Sequence, residues 1–202
     1  MNQAAMISLW REYVNEKNTT SVPDATVIFY LDGGQEATNR RLGWYRKTST
    51  NGITLVNDTQ EYSAFADQVR IVWVEHAGVV LRPGNLHTWE NDGVHWRSVS
   101  AGIPREWAVD GDKIVFYPKP NAEAVAAAAN PVVRYVATPP TLPSGGPAEL
   151  GSQDHRLIVY HAVREWSSCH PDSALAIQRA ERFDKLYESE IKAAEAYYAQ
   201  RG

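Results

Sequence analysis

The densest group of side chains able to do chemistry is His87-Thr88-Trp89-Glu90-Asn91-Asp92-Gly93-Val94-His95, with two imidazoles and two carboxylates in nine residues. Such a donor set suits zinc or another transition metal. The spacing is not the His-Glu-x-x-His pattern that puts two imidazoles on one helix face, and no obvious third ligand accompanies them. Polar surface residues in a loop-rich stretch explain the segment equally well. Cys169-His170 joins a thiol to an imidazole, but adjacent residues seldom form a working nucleophile–base pair, and a structural thiol is expected. No Gly-x-Gly-x-x-Gly, phosphate-binding loop or Gly-x-Ser-x-Gly element occurs. Nothing lines up as a catalytic site, so the chain reads as a non-enzymatic protein that needs no cofactor and no metal.

Binding chemistry is better represented. Seven Trp and ten Tyr stand against four Phe, and a large apolar body with one polar tip suits cores that open onto interfaces. Trp73, Trp89, Trp96 and Trp107 fall in or near strand-like segments. They could line up as a platform for a glycan, or serve as core and subunit contacts. Aligned, exposed rings would support the platform; buried rings would end it.

The elements that must position these residues follow a helix–strand–helix order. Met6, Leu9, Trp10 and Tyr13 recur at steps of three and four, which predicts a helix over 5–17. Ser21-Val22-Pro23-Asp24 has capping-box spacing, and a second helix is expected over 22–42, with Val27, Ile28, Leu31 and Leu42 inward. Gly33-Gly34 inside it predicts either a kink or an unusually close backbone neighbour. Short apolar runs between turn signals then predict strands over 46–48, 53–56, 69–75, 79–81, 106–109, 113–117 and 132–137, with Asp110-Gly111 marking a hairpin. A helical turn is expected over 86–90. The Ala-rich run 122–129, bracketed by Pro118, Pro120 and Pro131, is expected as a surface loop. A Pro/Gly linker over 139–151 leads to a helix over 153–168, capped by Ser152 or Asp154. A last helix is expected over 172–199, with its stripe on Ala176, Ala180, Phe183, Tyr187, Ile191, Ala194 and Tyr198. At about 40 Å that helix is long for such a domain, so part of it is expected to project toward a neighbour.

The fold class is thus α+β: an antiparallel helical bundle formed by N- and C-terminal helices (1–44 and 139–202) with a β-rich insertion at 45–138. With 202 residues, 44% hydrophobic and 22% charged, the chain can bury roughly 70% of its unfolded surface without a staple. Its one cysteine, Cys169, excludes an internal disulfide and a cysteine-based zinc site. The net charge of −4 and the lack of a basic stripe argue against sequence-specific DNA binding. Met1-Asn2-Gln3-Ala4 does not open a signal peptide, and no apolar run reaches the roughly 18 residues that cross a bilayer. No membrane partner is expected.

The order of the elements resembles the head-to-tail adaptor (connector, or tail tubular A-like) family of tailed bacteriophages. Leu31-Asp32-Gly33-Gly34-Gln35-Glu36 and Asn39-Arg40-Arg41 lead to Gly43-Trp44. Then come Glu61-Tyr62, Ala66-Asp67-Gln68-Val69-Arg70-Ile71, Gly102-Ile103-Pro104 and Ile114-Val115-Phe116-Tyr117-Pro118-Lys119-Pro120. Arg134-Tyr135 and Pro139-Pro140-Thr141-Leu142 precede His155-Arg156-Leu157-Ile158-Val159-Tyr160-His161-Ala162. The departure is Ser63-Ala64-Phe65, where the family has Leu-Pro. The resemblance implies a structural virion protein at the head–tail junction, made in the host bacterial cytoplasm. It would form a ring, commonly dodecameric, with the portal protein on one side, a tail or nozzle protein on the other, and genomic DNA passing through the lumen. A weakly acidic lumen would repel DNA rather than hold it. Tyr187, Ile191, Tyr197 and Tyr198 are then the expected portal-docking residues. Trp73, Trp89, Trp96 and Trp107 are expected to contact neighbouring adaptors or tail proteins. An aromatic-rich binding module for a glycan or protein is the alternative.

Overall fold

A computed structural model describes residues 1–16, 19, 21–91, 95–127, 130–147, 150–171 and 174–199. The chain is a mixed α+β protein that divides into two compact units, Met1–Tyr45 with Thr138–Gly202 and Arg46–Ala137. Among the described residues there are six α-helices and seven strands.

In the first unit, α1 (Gln3–Val14) and α2 (Asp24–Leu42) precede α5 (His155–Cys169) and α6 (Ala174–Ala199). Helix α5 buries Leu157, Ile158, Val159, Tyr160, Ala162 and Val163, a run too continuous for one face. A helix that is apolar most of the way round must be surrounded, and α5 indeed packs against α1, α2 and α6. Trp10 meets Trp166 edge-on at 5.4 Å and Tyr13 lies 4.9 Å from Phe183. Arg11 closes the α1–α2 turn by donating to the Val22 carbonyl (2.7 Å) and to Asp24 (2.6 Å).

Helix α2 does not break at its glycines. A Cβ on Gly34 would run into the carbonyl oxygen of Ile158, whereas one on Gly33 would meet nothing within 4 Å. Of the two readings of Gly33-Gly34, the close neighbour is therefore the one observed. The polar residues next to it turn inward as well: Gln35, Thr38 and Asn39 are buried. Gln35 Nε2 donates to the Pro140 carbonyl (2.7 Å), Asp32 accepts from the Leu142 amide (2.6 Å), and Gln3 Nε2 donates to the Leu142 carbonyl (2.8 Å). These bonds satisfy the backbone of a Pro-rich segment that has no regular structure to do so.

The second unit carries one curled sheet in the order β1-β7-β3-β4-β5-β6-β2. Its strands are β1 (Arg46–Ser49), β2 (Glu61–Ser63), β3 (Gln68–His76), β4 (Val79–Pro83), β5 (Glu106–Asp110), β6 (Lys113–Tyr117) and β7 (Val132–Ala137). Among the described strand pairs only β4–β5 is parallel, and its crossover holds α3 (Leu86–Asn91) and a 3₁₀ turn at Trp96–Ser98. Gly111, with φ +59°, makes the tight β5–β6 hairpin turn.

Four local expectations are corrected. Residues 53–56 pair with no strand, although Ile53 and Leu55 are buried; the Tyr62 hydroxyl accepts from the Val56 amide (3.0 Å) in place of a ladder, and β2 forms downstream. The Ala-rich run contains α4 (Ala122–Ala126), because Asn121 caps it by accepting from the Ala124 amide at 2.9 Å; residues 128–129 lie outside the described residues. The capping box at Ser21 does not form: Pro23 occupies the N-cap, and the Ser21 hydroxyl donates to Glu16. Finally, the C-terminal part of α6 does not project, since its stripe packs into the core from Phe183 to Tyr198.

The two glycines of α2 should respond to alanine with opposite signs. Gly33→Ala should stabilise by up to about 1 kcal/mol through helix propensity. Gly34→Ala should destabilise by roughly 1–3 kcal/mol, because overpacking outweighs the same gain. Urea denaturation of the two variants checks both signs.

Candidate interaction surfaces

Helix α6 is clamped to α2 by a single guanidinium. Arg41 Nε donates to Glu195 (2.8 Å) and its terminal nitrogen to Glu188 (2.7 Å), two helical turns apart. These bonds raise the Arg41 pKa above its ordinary value. On the stripe itself, Tyr187 (2% exposed) and Ile191 (0%) lie inside the helical core, and His161 meets the Tyr187 ring edge-on at 5.3 Å. Burial pushes the Tyr187 hydroxyl's pKa up. Tyr198 is half-buried and tethers the helix end: its hydroxyl accepts from the Gly151 amide (2.9 Å) and donates to Asp154 (3.1 Å). Tyr197, edge-on to Tyr198, is 40% exposed. Of the four residues expected to dock a partner, two sit in the core, one is a tether and one is on the surface.

A cleft of about 550 Å³ lies in the same unit, lined by Phe29, Tyr30, Asp32, Pro140, His161, Glu165 and Cys169 among others. His161 Nε2 accepts from Arg164 at 2.9 Å. Burial, and then the Arg164 charge, push its pKa down to about 4. Cys169 is exposed, while His170 donates to the Trp166 carbonyl (2.8 Å) and stacks on that indole (4.6 Å). The imidazole is thus engaged away from the thiol. Among the described residues no three His, Cys, Asp or Glu side chains are grouped to hold a metal ion. Asp92, Gly93 and Val94 of the His87–His95 segment lie outside them.

The four tryptophans do not form a platform. Trp89, Trp96 and Trp107 are 6%, 2% and 8% exposed. Trp89 stacks on Tyr117 at 4.8 Å and donates to Glu106 (2.7 Å), while Arg97 covers Trp96 at 4.1 Å. These rings are the second unit's core, which removes the observation a glycan-binding reading needs. Trp73 alone of the four is half-buried.

Trp73 belongs to a face that the sequence reading missed. Arg46 and Arg70 both stand opposite Val136 on β7, and Trp73 stands opposite Arg134. Irregularities between Gln68 and Arg70 and between Ile71 and Trp73 shift the register. Without the second, Arg70 and Trp73, three residues apart, would point to opposite sides of the sheet. Burial first, then the charges of Arg134 and Arg70, hold the Arg46 pKa below its ordinary value. Among the described residues neither Arg70 nor Arg134 has an ion-pair partner; Lys47 is paired with Asp67 at 2.6 Å. The signal available in the sequence was three arginines in segments that read as strands, but which strands adjoin is not a local property.

Histidine titration gives a pH signature. Unfolded, His161 takes a proton near its usual 6.5; folded, it stays neutral to about 4. The unfolded chain therefore binds more protons between those values, and stability falls as pH drops through that window. Denaturation midpoints at about pH 7 and about pH 5 should differ by an amount of order 1–2 kcal/mol for the native sequence. His161→Gln, which cannot titrate, should show a smaller difference.

Among curated proteins none matches this chain. The family model described as SU10 adaptor protein matches residues 1–202, in agreement with the phage-adaptor resemblance read from the sequence. Because the match spans the whole chain, this protein belongs to the SU10 adaptor protein family, a family of structural phage proteins rather than enzymes.

Proposed function

We propose that the chain is a head-to-tail adaptor that forms a ring, dodecameric in the particle, between the portal protein and a tail or nozzle protein. In that place it seals the packaged head and lets genomic DNA pass through its lumen as a component of the virion. The helices of residues 1–44 and 139–202 act as one antiparallel bundle, and the β-rich insertion at 45–138 supplies contacts to neighbouring copies or to the tail. The observation that carries this reading is the family match along all 202 residues. It is in keeping with it that, among the described residues, no helix is long and apolar enough to cross a membrane.

Docking onto the portal is assigned to the end of α6. Tyr187 and Ile191 support that surface from within the core, Tyr198 fixes its direction, and Tyr197 makes the contact. Cutting the chain after Ile191 would also remove buried Ala194 and the Arg41–Glu195 pair, so truncation mixes folding with docking. Tyr197→Ala removes a 40% exposed ring and its edge-on contact with Tyr198 and leaves the buried stripe in place. Mass photometry of the protein with the portal from the same genome should give a discrete complex with about twelve added copies for the native sequence, since exposed aromatic anchors dominate such contacts. Tyr197→Ala should weaken it at least several-fold with an unchanged melting temperature. A native chain that ignores its portal would overturn the adaptor reading.

A further inference from the structure

We infer that the Arg46–Arg70–Arg134 face of the sheet receives the acidic β5–β6 hairpin end of a second copy of this chain. The inference rests on the ring reading above and names the surfaces that would build the ring.

The two ends of the sheet differ in charge. Strands β1, β7 and β3 carry four cations (Arg46, Lys47, Arg70, Arg134) and one carboxylate, Glu75. Residues 106–117, at the other end, carry three carboxylates (Glu106, Asp110, Asp112) and one cation, Lys113. Lys47 is already paired with Asp67 on the opposite side of the sheet from Arg46. The three arginines share one face, with cross-strand and along-strand spacings of about 7–10 Å. Like charges so close repel in the isolated chain, and Glu75, opposite Val132 on the same face, is the one carboxylate these three strands carry. A register irregularity is needed to keep Trp73 beside them. Arg and Trp together are the composition of an interface anchor.

The hairpin end offers the complement. Asp112 is exposed and has no ion-pair partner among the described residues, Asp110 reaches Arg97 only at 3.6 Å, and Val109 beside them is 43% exposed. Because the two surfaces lie at opposite ends of one sheet order, joining them is a heterologous, head-to-tail contact, the kind that closes into rings. A nucleic acid fits less well: three phosphate contacts bind weakly at physiological salt, and Glu75 lies within the face.

The test is sedimentation velocity and mass photometry of the full chain, alone and with its portal, for four proteins: native, Arg70→Glu/Arg134→Glu, Asp110→Lys/Asp112→Lys, and the combined charge swap. Each double reversal should lower association between copies at least tenfold, added salt should act in the same direction, and the combined swap should restore association. Arg70→Gln/Arg134→Gln, a milder change, should give an intermediate loss if the reversal perturbs folding. Native-like association of both reversals overturns the inference and leaves the ring to other surfaces. Loss of binding to a short DNA duplex, with self-association unchanged, overturns it in favour of a phosphodiester ligand. A native chain that fails to associate even on its portal overturns the ring reading and the inference with it.

Discussion

The first unit depends on the close passage of α2 over α5 at Gly34. The Ile158 carbonyl occupies the place of the missing side chain, so the two helices approach more closely than any larger residue would allow. That proximity lets α5 be enclosed, with α1, α2 and α6 all packed against it. It also explains the otherwise odd interior of α2, where Gln35, Thr38 and Asn39 are buried beside Leu31 and Leu42. Once the helix is this close, its polar side chains can reach the chain returning at Pro140 and Leu142. Buried polar groups are tolerated where they find partners, and here the partners are the bare backbone of a proline-rich segment.

In the second unit the corresponding constraint is the late arrival of β7. The strand enters between β1 and β3, so the sheet is incomplete until residue 137 has been placed. The same insertion sets which side chains adjoin: it brings Arg134 between strands that already carry Arg46 and Arg70. The aromatic excess of the composition is spent mostly indoors, on Trp89, Trp96, Trp107 and their stacked neighbours. What remains for the surface includes Phe29 on α2, Tyr197 at the end of α6, the half-buried Trp73 among arginines, and a few exposed aliphatics.

Much of this was legible residue by residue. The 3.6-residue spacing placed α1, α2, α5 and α6, and short apolar runs between turn signals placed six of the seven strands. The stripe of α6 was read correctly from Ala176 to Tyr198, but its meaning was not. A stripe says that one face is covered and leaves open whether the cover is the chain's own core or a partner; the contacts of Tyr187 and Ile191 assign it to the core. The errors at 53–56, at Ser21 and at the Ala-rich run share a cause. In each, a single side chain (the Tyr62 hydroxyl, Glu16, Asn121) supplied or withdrew the hydrogen bond that decided the local structure, and propensity averages over such events.

By itself the sequence determined the helix–strand–helix order, the family, and the lack of any catalytic spacing, because each is written in local pattern or in motif order. Only the tertiary structure decided why Gly34 is a glycine, which tryptophans are buried, and that three arginines from distant segments share one face. Those outcomes depend on which elements become neighbours, and neighbours are chosen by packing and strand register across the whole unit rather than by any stretch of residues.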